Sequence, residues 1–371
     1  MLTWITGLLC AFLVFLTLLP LSKSPRWWVR GADFPRFQLV ALGLGLLAAT
    51  LATSDLDRMA VRIIAVTTSV CIVYQAWWIC PFTRIYRNEV KTAPPDGRLP
   101  RVRLMSANVL QTNRRSGDLL RIVRAERPDV LVTLETNARW ERELETLEAD
   151  YPHTLKCPLE NLYGMHLYSR FPIEDAKIQF MVEPDVPSMH LLVVLPGGVK
   201  VRLHCIHPAP PSPTENPTSK ERDAELVMVG RSVADSELPV IVGGDLNDVA
   251  WSATTRLFRK VSGLLDPRVG RGMYNTFHAR YPFCRWPVDH IFHSRHFTVV
   301  RLARLGYYGS DHFPVLIELA VDPDAPRQQK GLDADEDDQK EAREKMQEEG
   351  ATSTKVHQPG GGTSKSAGHR E

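Results

Sequence analysis

Polar side chains that can do chemistry follow short apolar runs at several points of this sequence. "VGGDLND" places Asp245 and Asn247 behind the apolar run 238–242, and "YGSDHFPV" places Asp311 beside His312. Four more positions share this placement: Asn108 after "RLMSA", Glu135 after "VLVTL", His207 after "VRLHCI" and Asp289 in "WPVDHIF". Because such runs predict buried strands, these side chains can meet at one edge of a sheet.

This combination of carboxylates, amides and imidazoles suits the hydrolysis of a phosphate ester. That reaction needs neutralisation of the phosphate charge, an activated water molecule and an acid for the leaving oxygen. Purely structural alternatives exist. Asp245 and Asn247 can form an Asx turn, and Asp311 can cap a helix or form a local ion pair. Glu135 can cap the next helix, and His207 can be a loop residue without a role. Their joint occurrence at successive strand ends favours a site.

The elements that must position these residues alternate between strands and helices. The predicted strands are 102–107, 129–135, 165–169, 189–195, 199–207, 238–242 and runs near residues 288 and 313. The predicted helices are 117–125, 138–149, 219–234 and 253–259. Strands next to one another, together with strands flanked by helices, indicate a mixed sheet packed by helices, that is, an α/β sandwich.

Three apolar runs at the start of the chain predict three membrane-spanning helices. They cover about residues 2–21, 37–54 and 59–82, and they carry a single charged residue, Arg62. Each is long enough to cross a bilayer. The first run has no preceding Lys or Arg and no clean cleavage site, which favours an uncleaved helix over a signal peptide. The predicted division is a membrane region at 1–83, a linker at 84–100, a soluble domain at 101–321 and a disordered charged tail at 322–371, with a short helix around 337–348.

The basic residues around these runs favour one orientation. Four Lys or Arg residues lie at positions 23–36, between the first two runs, whereas the second loop has only Arg58 and Arg62. The positive-inside rule then places the first loop, and everything after the third run, in the cytoplasm.

Seven sequence pieces resemble the endonuclease/exonuclease/phosphatase superfamily. They occur in the family's order between residues 106 and 315: "SANVL", "LVTLET", "YSRFPI", "HCIHP", "VGGDLND", "PVDHIF" and "GSDHFPV". The resemblance implies a DNase I-like four-layered α/β sandwich, here preceded by the three transmembrane helices. Membrane-anchored bacterial members of the superfamily have a similar plan, so an integral protein of a bacterial inner membrane is expected.

The resemblance also implies a divalent cation, Mg²⁺ or Mn²⁺. Glu135 would be the main metal ligand, with Asn108 and Asp311 helping to position the ion or the phosphate; such hard cations prefer oxygen ligands. The family's abasic-site nucleases carry an acidic ligand where this chain has Leu110. They also carry Tyr where it has His207, which would donate to the phosphate or to the leaving group. Both departures point away from the repair-nuclease branch.

The remaining roles are implied for residues near the scissile phosphate. His312 would be a general base or a phosphate-stabilising cation, oriented by Asp289. Asp245 would orient water or act as a base, and Asn247 would donate a hydrogen bond to the phosphate. His290 is a secondary candidate, whose alternative is a core histidine with a satisfied ring.

Three classes of function follow. A membrane-anchored phosphoesterase would act on a phosphodiester or phosphomonoester, including a lipid-linked one, because a tether raises the effective concentration of substrates in the bilayer. A nuclease is the alternative. Residues 101–319 hold 27 basic and 26 acidic residues, a net charge of +1, which does not favour a nucleic-acid partner. A catalytically inactive binding protein is a third, less favoured class. The expected partners are a phosphate-ester substrate and the lipid bilayer.

Overall fold

The computed structural model describes residues 2–95 and 97–361. The helices are α1 (Leu2–Leu18), α2 (Trp27–Arg30), α3 (Arg36–Thr53), α4 (Met59–Ile79), α5 (Ser116–Glu126), α6 (Ala138–Leu144), α7 (Lys220–Val233), α8 (Ala253–Ser262) and α9 (Glu336–Glu348). The strands are β1 (Arg101–Asn108), β2 (Val130–Leu134), β3 (His153–Cys157), β4 (Met165–Ser169), β5 (Ile173–Phe180), β6 (Pro187–Val194), β7 (Lys200–Cys205), β8 (Val240–Asp245), β9 (Asp289–His293), β10 (Phe297–Arg304) and β11 (Val315–Val321).

Helices α1, α3 and α4 form an apolar bundle at the start of the chain. Within the described residues, three helical spans are long and apolar enough to cross a membrane, with mean hydropathies of 2.3, 1.5 and 1.7. Prolines delimit the bundle: Pro35 precedes α3 and Pro81 follows α4, because proline cannot continue a helix past its first turn. Helices α3 and α4 approach closely at Gly43, where a Cβ atom would lie 2.6 Å from Ile72 Cγ1. The three predicted apolar helices are therefore present.

The strands after the bundle form two mixed sheets. The first has the order β10-β11-β1-β2-β4-β3, and the second has the order β5-β6-β7-β8-β9. Strands β1 and β2 are parallel, as are β7 and β8, while the other pairs are antiparallel. The predicted α/β sandwich is confirmed.

Alternating side chains build four layers from these sheets. On β1, Leu104 points into the core between the two sheets, and the next residue, Met105, packs against α5 and α6 on the outer face. Strand side chains alternate in this way with a period of two, so a strand covered on both faces is apolar throughout. Helices α7, α8 and α9 cover the outer face of the second sheet. The resulting order is helices, sheet, sheet, helices.

The register of the strands brings polar residues to one edge of the sandwich. Asn108 ends β1 beside Leu134, the last residue of the parallel strand β2. In the second sheet, Asp245 at the end of β8 pairs with Asp289 at the start of β9. Parallel strands present their carboxyl ends together, which explains why residues distant in the sequence meet here.

Three strands and part of the tail differ from the predictions. Strands β3, β5 and β10 were not predicted, because β3 and β5 are half-exposed and lack clean apolar alternation. The tail prediction is corrected for residues 322–361: α9 buries Ala342 and Met346 against α7, and Lys345 Nζ lies 2.8 Å from Asp223 Oδ2. The short helix expected around 337–348 matches α9. Positions 362–371 of the predicted tail lie outside the described residues.

The segment between α1 and α3, residues 19–35, packs directly on the sandwich. We call it the connecting segment. Trp251 Nε1 donates to Asp33 O at 2.8 Å, and Ser219 N donates to Pro25 O at 2.8 Å. The predicted linker 84–100 is also held, since Val90 is buried in the core between the sheets. The apolar bundle and the sandwich therefore share an interface.

Glu225 on α7 predicts a pH-dependent stability. It is 1% exposed, and burial, followed by the charge of Glu183, raises its pKa to about 8. The folded chain then keeps a proton that the unfolded chain loses above its pKa of about 4.3, so stability falls as pH rises from about 4.3 to 8. Glu225→Gln should remove this slope and be more stable at pH 8 by a few kcal/mol, since each unit of pKa shift corresponds to about 1.4 kcal/mol.

Thermal melts of both proteins between pH 5 and 8 measure the effect. The exposed Glu145→Gln serves as the matched control. Parallel melting curves for wild type and Glu225→Gln would contradict a buried, protonated Glu225.

Candidate active site

Asn108 links the two sheets at this edge. Its Nδ2 donates to Glu135 Oε1 at 2.8 Å and to Asp245 Oδ2 at 3.2 Å, while its Oδ1 accepts from Leu110 N at 3.1 Å. Asn108 was expected to help position a metal ion or the phosphate, and one lone pair of its Oδ1 is used by a backbone N–H group. In this arrangement Asn108 positions two carboxylates, and the second lone pair of its Oδ1 leaves the predicted role beside the ion or the phosphate as a prediction.

Glu135 stands in a strained backbone position. Its φ of 60° lies in the left-handed region, which for a residue with a side chain costs about 1–3 kcal/mol and is most often found at functional sites. The second carboxylate oxygen accepts from Gln111 N at 3.3 Å. Burial raises the pKa of Glu135 to about 7, although the hydrogen bond from Asn108 and the charge of His312 lower it.

Asp245 and Asn247 are held by a tight turn behind β8. Asn247 N donates to Asp245 Oδ1 at 3.0 Å, so the Asx turn considered as an alternative does form. Gly244 has φ 144°, and a Cβ atom there would lie 1.9 Å from Ile206 O, so only glycine fits. The turn and the site are compatible, because Asp245 Oδ2 remains directed at Asn108 and His312.

His312 lies between two buried carboxylates. Its Nδ1 donates to Asp289 Oδ2 at 2.8 Å, and its Nε2 lies 3.5 Å from Asp245 Oδ2. Burial alone would lower the pKa of His312, but Asp289 and Asp245 outweigh it and raise the pKa to about 10. His312 is therefore an imidazolium at neutral pH. Of its two predicted roles, this favours the phosphate-stabilising cation over the general base.

His207 and Asp311 are the last two of the predicted site residues, and they flank Asp245 and His312. His207 Nε2 is 3.9 Å from Asp245 Oδ2, too far for a hydrogen bond, and burial lowers the pKa of His207 despite that carboxylate. Its Nδ1 is buried and has no hydrogen-bond partner among the described residues. Asp311 is half-buried, and its charge acts on both Glu135 and His312. The structure thus brings all eight predicted site residues to one edge.

The charges at this edge fit a divalent cation. Within the described part of the chain, Glu135, Asp245, Asp289 and Asp311 have no Lys or Arg ion-pair partner, and Asp289 Oδ1 is buried without a hydrogen-bond partner. One imidazolium offsets only one of these four carboxylates, and a divalent cation held by oxygen ligands would offset two more.

Two sets of ligands are available for such an ion. Single atoms of Asp245, Asp289 and His312 lie within 4.8 Å of one another, as in a metal site. However, the imidazolium of His312 already offsets one of the two carboxylates in that trio and occupies the space between them. Glu135 has only amide donors as partners, so its carboxylate is available to an ion, and its role as main metal ligand stays a prediction.

Supporting residues that the sequence did not single out hold the site loops. Tyr308 Oη and Ser310 Oγ both donate to Asn108 O, the latter at 2.7 Å. Buried Arg222 donates from Nη1 to Asn247 O at 2.7 Å and pairs with Asp248. Arg222 lies in a charged helical stretch without a motif, so no sequence signal marks it.

The secondary candidate His290 belongs to the core. Its Nδ1 accepts from Arg268 Nη2 at 2.6 Å, and its Nε2 donates to Asp248 O at 2.8 Å. Both ring nitrogens are satisfied and the ring is 1% exposed, which is the structural alternative expected for it. A catalytic role for His290 is therefore not supported.

A cavity of about 530 Å³ opens beside the site, within the 300–1,000 Å³ typical of ligand pockets. His312 and Asn247 line it from the sandwich, while Trp27, Arg30 and Phe34 line it from the connecting segment. The candidate active site is thus bounded partly by residues from outside the sandwich.

Comparison with known proteins gives the following similarities. The sequence model described as "Endonuclease/Exonuclease/phosphatase family" matches residues 105–312. Danio rerio TDP2 complexed with single strand DNA product shows 18% identity, covering 60% of this chain and 99% of that chain, with a TM-score of 0.50. A family protein from Bacteroides thetaiotaomicron shows 19% identity, covering 61% and 99%, with a TM-score of 0.50. These structural likenesses concern the fold, and no curated protein matches the sequence.

Proposed function

The chain belongs to the endonuclease/exonuclease/phosphatase family, and from this premise we propose that it is a membrane-anchored, divalent-metal-dependent phosphoesterase. The observation that carries the proposal is the convergence of Glu135, Asp245 and His312 at one edge, linked through Asn108. A buried carboxylate without a basic partner, a second carboxylate and an imidazolium supply the groups that hydrolysis of a phosphate ester needs.

Each residue has a distinct task in the proposed reaction. A Mg²⁺ or Mn²⁺ ion held by Glu135, with Asp311 nearby, would supply positive charge to the phosphate. Burial raises the pKa of Asp245, although His312 and His207 lower it, and a raised pKa suits a carboxylate that takes a proton from water. The water oxygen bonds to phosphorus, the ester P–O bond breaks, and the leaving oxygen acquires a proton from solvent.

The imidazolium and the amide stabilise the charged phosphate. His312 Nε2–H, held in place by Asp289 at Nδ1, can donate to a phosphate oxygen. Asn247 Nδ2 donates one hydrogen to Pro208 O at 3.0 Å and keeps a second N–H for the phosphate. His207, neutral because burial lowers its pKa, stays available to hydrogen-bond the phosphate or the leaving group.

The position of the site supports a substrate at the membrane surface over a nucleic acid. The cavity beside His312 is shared with the connecting segment, whose neighbours are the apolar helices α1 and α3. The net charge of +1 over residues 101–319 offers little of the basic surface that a duplex requires. Nuclease activity is the alternative, since a protein of similar fold is complexed with single strand DNA product.

A substrate panel offered to the purified full chain separates these functions. It contains bis(p-nitrophenyl) phosphate, a polyprenyl pyrophosphate, a phosphoinositide, plasmid DNA and single-stranded DNA, each with Mg²⁺ or Mn²⁺. We expect hydrolysis of the chromogenic ester and of a lipid phosphate, and its loss in EDTA. Hydrolysis of DNA alone would favour the nuclease, and no turnover at all would refute the enzyme.

The proposed location is a bacterial inner membrane with the catalytic domain in the cytoplasm. The connecting segment and the sandwich are in contact, so they share one side, and the basic residues of that segment favour the cytoplasm. A reporter active only outside the cytoplasm, fused after Glu371, should stay silent. A strong signal would move the catalytic domain to the other side of the membrane.

A further inference from the structure

The cavity beside His312 has a continuous aromatic wall. The ring of Phe277 lies 4.9 Å from the His312 ring and 6.5 Å from the stacked ring of Trp286, and Trp286 meets Phe34 edge-on at 5.6 Å. Phe34 stands two residues before α3 begins. The wall therefore runs from the imidazole of His312 to the N-terminus of the apolar helix α3.

The opposite part of the wall comes from the connecting segment and is also apolar. Trp27 and Pro35 line the cavity, together with Pro210 and Pro211 from the loop after β7. Beyond this segment, the side chains of Leu21 and Phe37 are 56% and 55% exposed. Apolar surface of this kind beside a spanning helix is stable when it faces lipid.

One buried cation interrupts this apolar lining. Arg30 is 5% exposed and lines the cavity; its Nη2 donates to Lys23 O at 3.0 Å, but its Nε has no hydrogen-bond partner among the described residues. Because this Nε is itself buried, Arg30 contributes positive charge to the cavity wall and not an exposed Nε–H donor. The cavity thus offers polar contacts at His312 and Asn247, a positive charge at Arg30, and hydrocarbon contacts elsewhere.

We propose that this cavity binds the hydrocarbon chain of an amphiphilic phosphate ester drawn from the bilayer, while its phosphate lies at His312 and Asn247. The inference rests on the proposed phosphoesterase function and names its substrate class. The connecting segment is then part of the substrate site, so the sandwich alone lacks one wall of it. Burial of a chain against aromatic walls stabilises the bound ester in proportion to the area removed from water.

Gly31 provides a clean test of the cavity. It lines the cavity, its φ is −58°, and a Cβ atom there would have no other atom within 4 Å. Gly31→Leu therefore fills space that the hydrocarbon chain of the substrate would occupy, without backbone strain. Gly117→Leu adds the same side chain at an equally open glycine of α5 and is the matched control.

The experiment uses the full chain in lipid nanodiscs and three p-nitrophenyl phosphodiesters that carry a methyl, an octyl or a hexadecyl group. The leaving group is constant, so the ratio of kcat/KM for the hexadecyl and methyl esters measures the contribution of the alkyl group alone. Wild type should prefer the hexadecyl ester at least about tenfold, and Gly31→Leu should reduce this ratio towards one. Gly117→Leu should retain it, because partition into the bilayer is the same for all three proteins.

A second pair of variants covers the case in which Gly31→Leu does not fold. Trp27→Ala removes a cavity wall and should lower the ratio, whereas Trp28→Ala, at a neighbouring and similarly exposed ring outside the cavity, should not. A wild type without chain-length preference, or a preference equal in all variants, overturns the inference and leaves the phosphoesterase intact. If wild type hydrolyses oligonucleotides faster than the alkyl esters, and Gly31→Leu lowers that rate, the cavity binds a nucleobase and the inference is overturned. No hydrolysis of any ester refutes both proposals.

Discussion

Replacing His312 with alanine is expected to lower kcat for phosphodiester hydrolysis by about 10²–10³, the usual effect of losing a charged donor that faces the transition state. His312 is the only imidazole in contact with both Asp245 and Asp289 among the described residues, so no neighbour can take its place. Loss of the cation also leaves two buried carboxylates facing each other, which should lower Tm by several degrees. Steady-state kinetics and thermal melts of the full chain measure both effects.

The pH profile distinguishes a cation from a base. With a pKa of about 10, His312 stays charged across the neutral range, so activity should persist to about pH 9 and fall only as the imidazolium deprotonates. Asp289 is the strongest of the groups that raise this pKa, and Asp289→Asn should shift the alkaline limb to lower pH. His357→Ala, which breaks an exposed His–Asp pair at 2.9 Å, is the matched control. An activity that rises through pH 7 and ignores Asp289→Asn would show that His312 is a base.

Replacing Glu135 with glutamine is expected to lower affinity for Mn²⁺ by at least about 100-fold, because even residues behind the direct ligands typically contribute 10–100-fold. The effect follows from the position of Glu135, a buried carboxylate without a basic side-chain partner in the described chain. Isothermal titration of the full chain with Mn²⁺ measures the affinity, and the metal concentration for half-maximal activity measures its consequence.

The pKa of Glu135 predicts how the affinity for Mn²⁺ changes with pH. Burial raises it to about 7, so a proton competes with the ion below that pH. Affinity for Mn²⁺ should fall by up to about tenfold per pH unit below 7 in wild type and show a weaker dependence in Glu135→Gln. The exposed Glu174→Gln on β5 is the control. Identical titrations for wild type and Glu135→Gln would move the ion away from Glu135.

Strand ends were readable from the sequence where a strand is buried on both faces. The runs before Glu135 and Asp245 are almost wholly apolar because helices and the facing sheet cover them, and the buried part of β1 before Asn108, residues 104–107, is mostly apolar too, so these ends stand out. Strand β5 carries exposed polar residues on both sides of its path, which hides its periodicity. The strands that could be predicted from the sequence are therefore the buried ones.

The tail shows where composition misleads. Residues 322–361 are rich in charge, which is typical of disorder. Yet a few apolar positions, Ala342, Met346 and Val356, lie on one surface and pack against α7. Ion pairs such as Lys260 with Asp338 then hold the charged face to the sandwich. Composition averages over these positions and cannot reveal the contact.

The orientation of side chains within the site also lay beyond the sequence. Asn108 could be placed at the strand end, but the use of its oxygen by Leu110 N is a matter of local turn geometry. The cavity is formed by the connecting segment and by loops around residues 210 and 286, which no local pattern joins. Sequence motifs identified the polar residues that meet at this edge, and only the packing of distant segments showed what surrounds them.

The most direct measurement is the release of p-nitrophenol from bis(p-nitrophenyl) phosphate by the full chain, titrated with Mn²⁺ and then with EDTA, for wild type and Asp245→Asn. We predict saturable, metal-dependent turnover by wild type that EDTA abolishes and added Mn²⁺ restores. In Asp245→Asn the rate should fall by about 10²–10⁴, the range for a lost general base. Release that ignores EDTA, or equal rates in the two proteins, would contradict hydrolysis at this site.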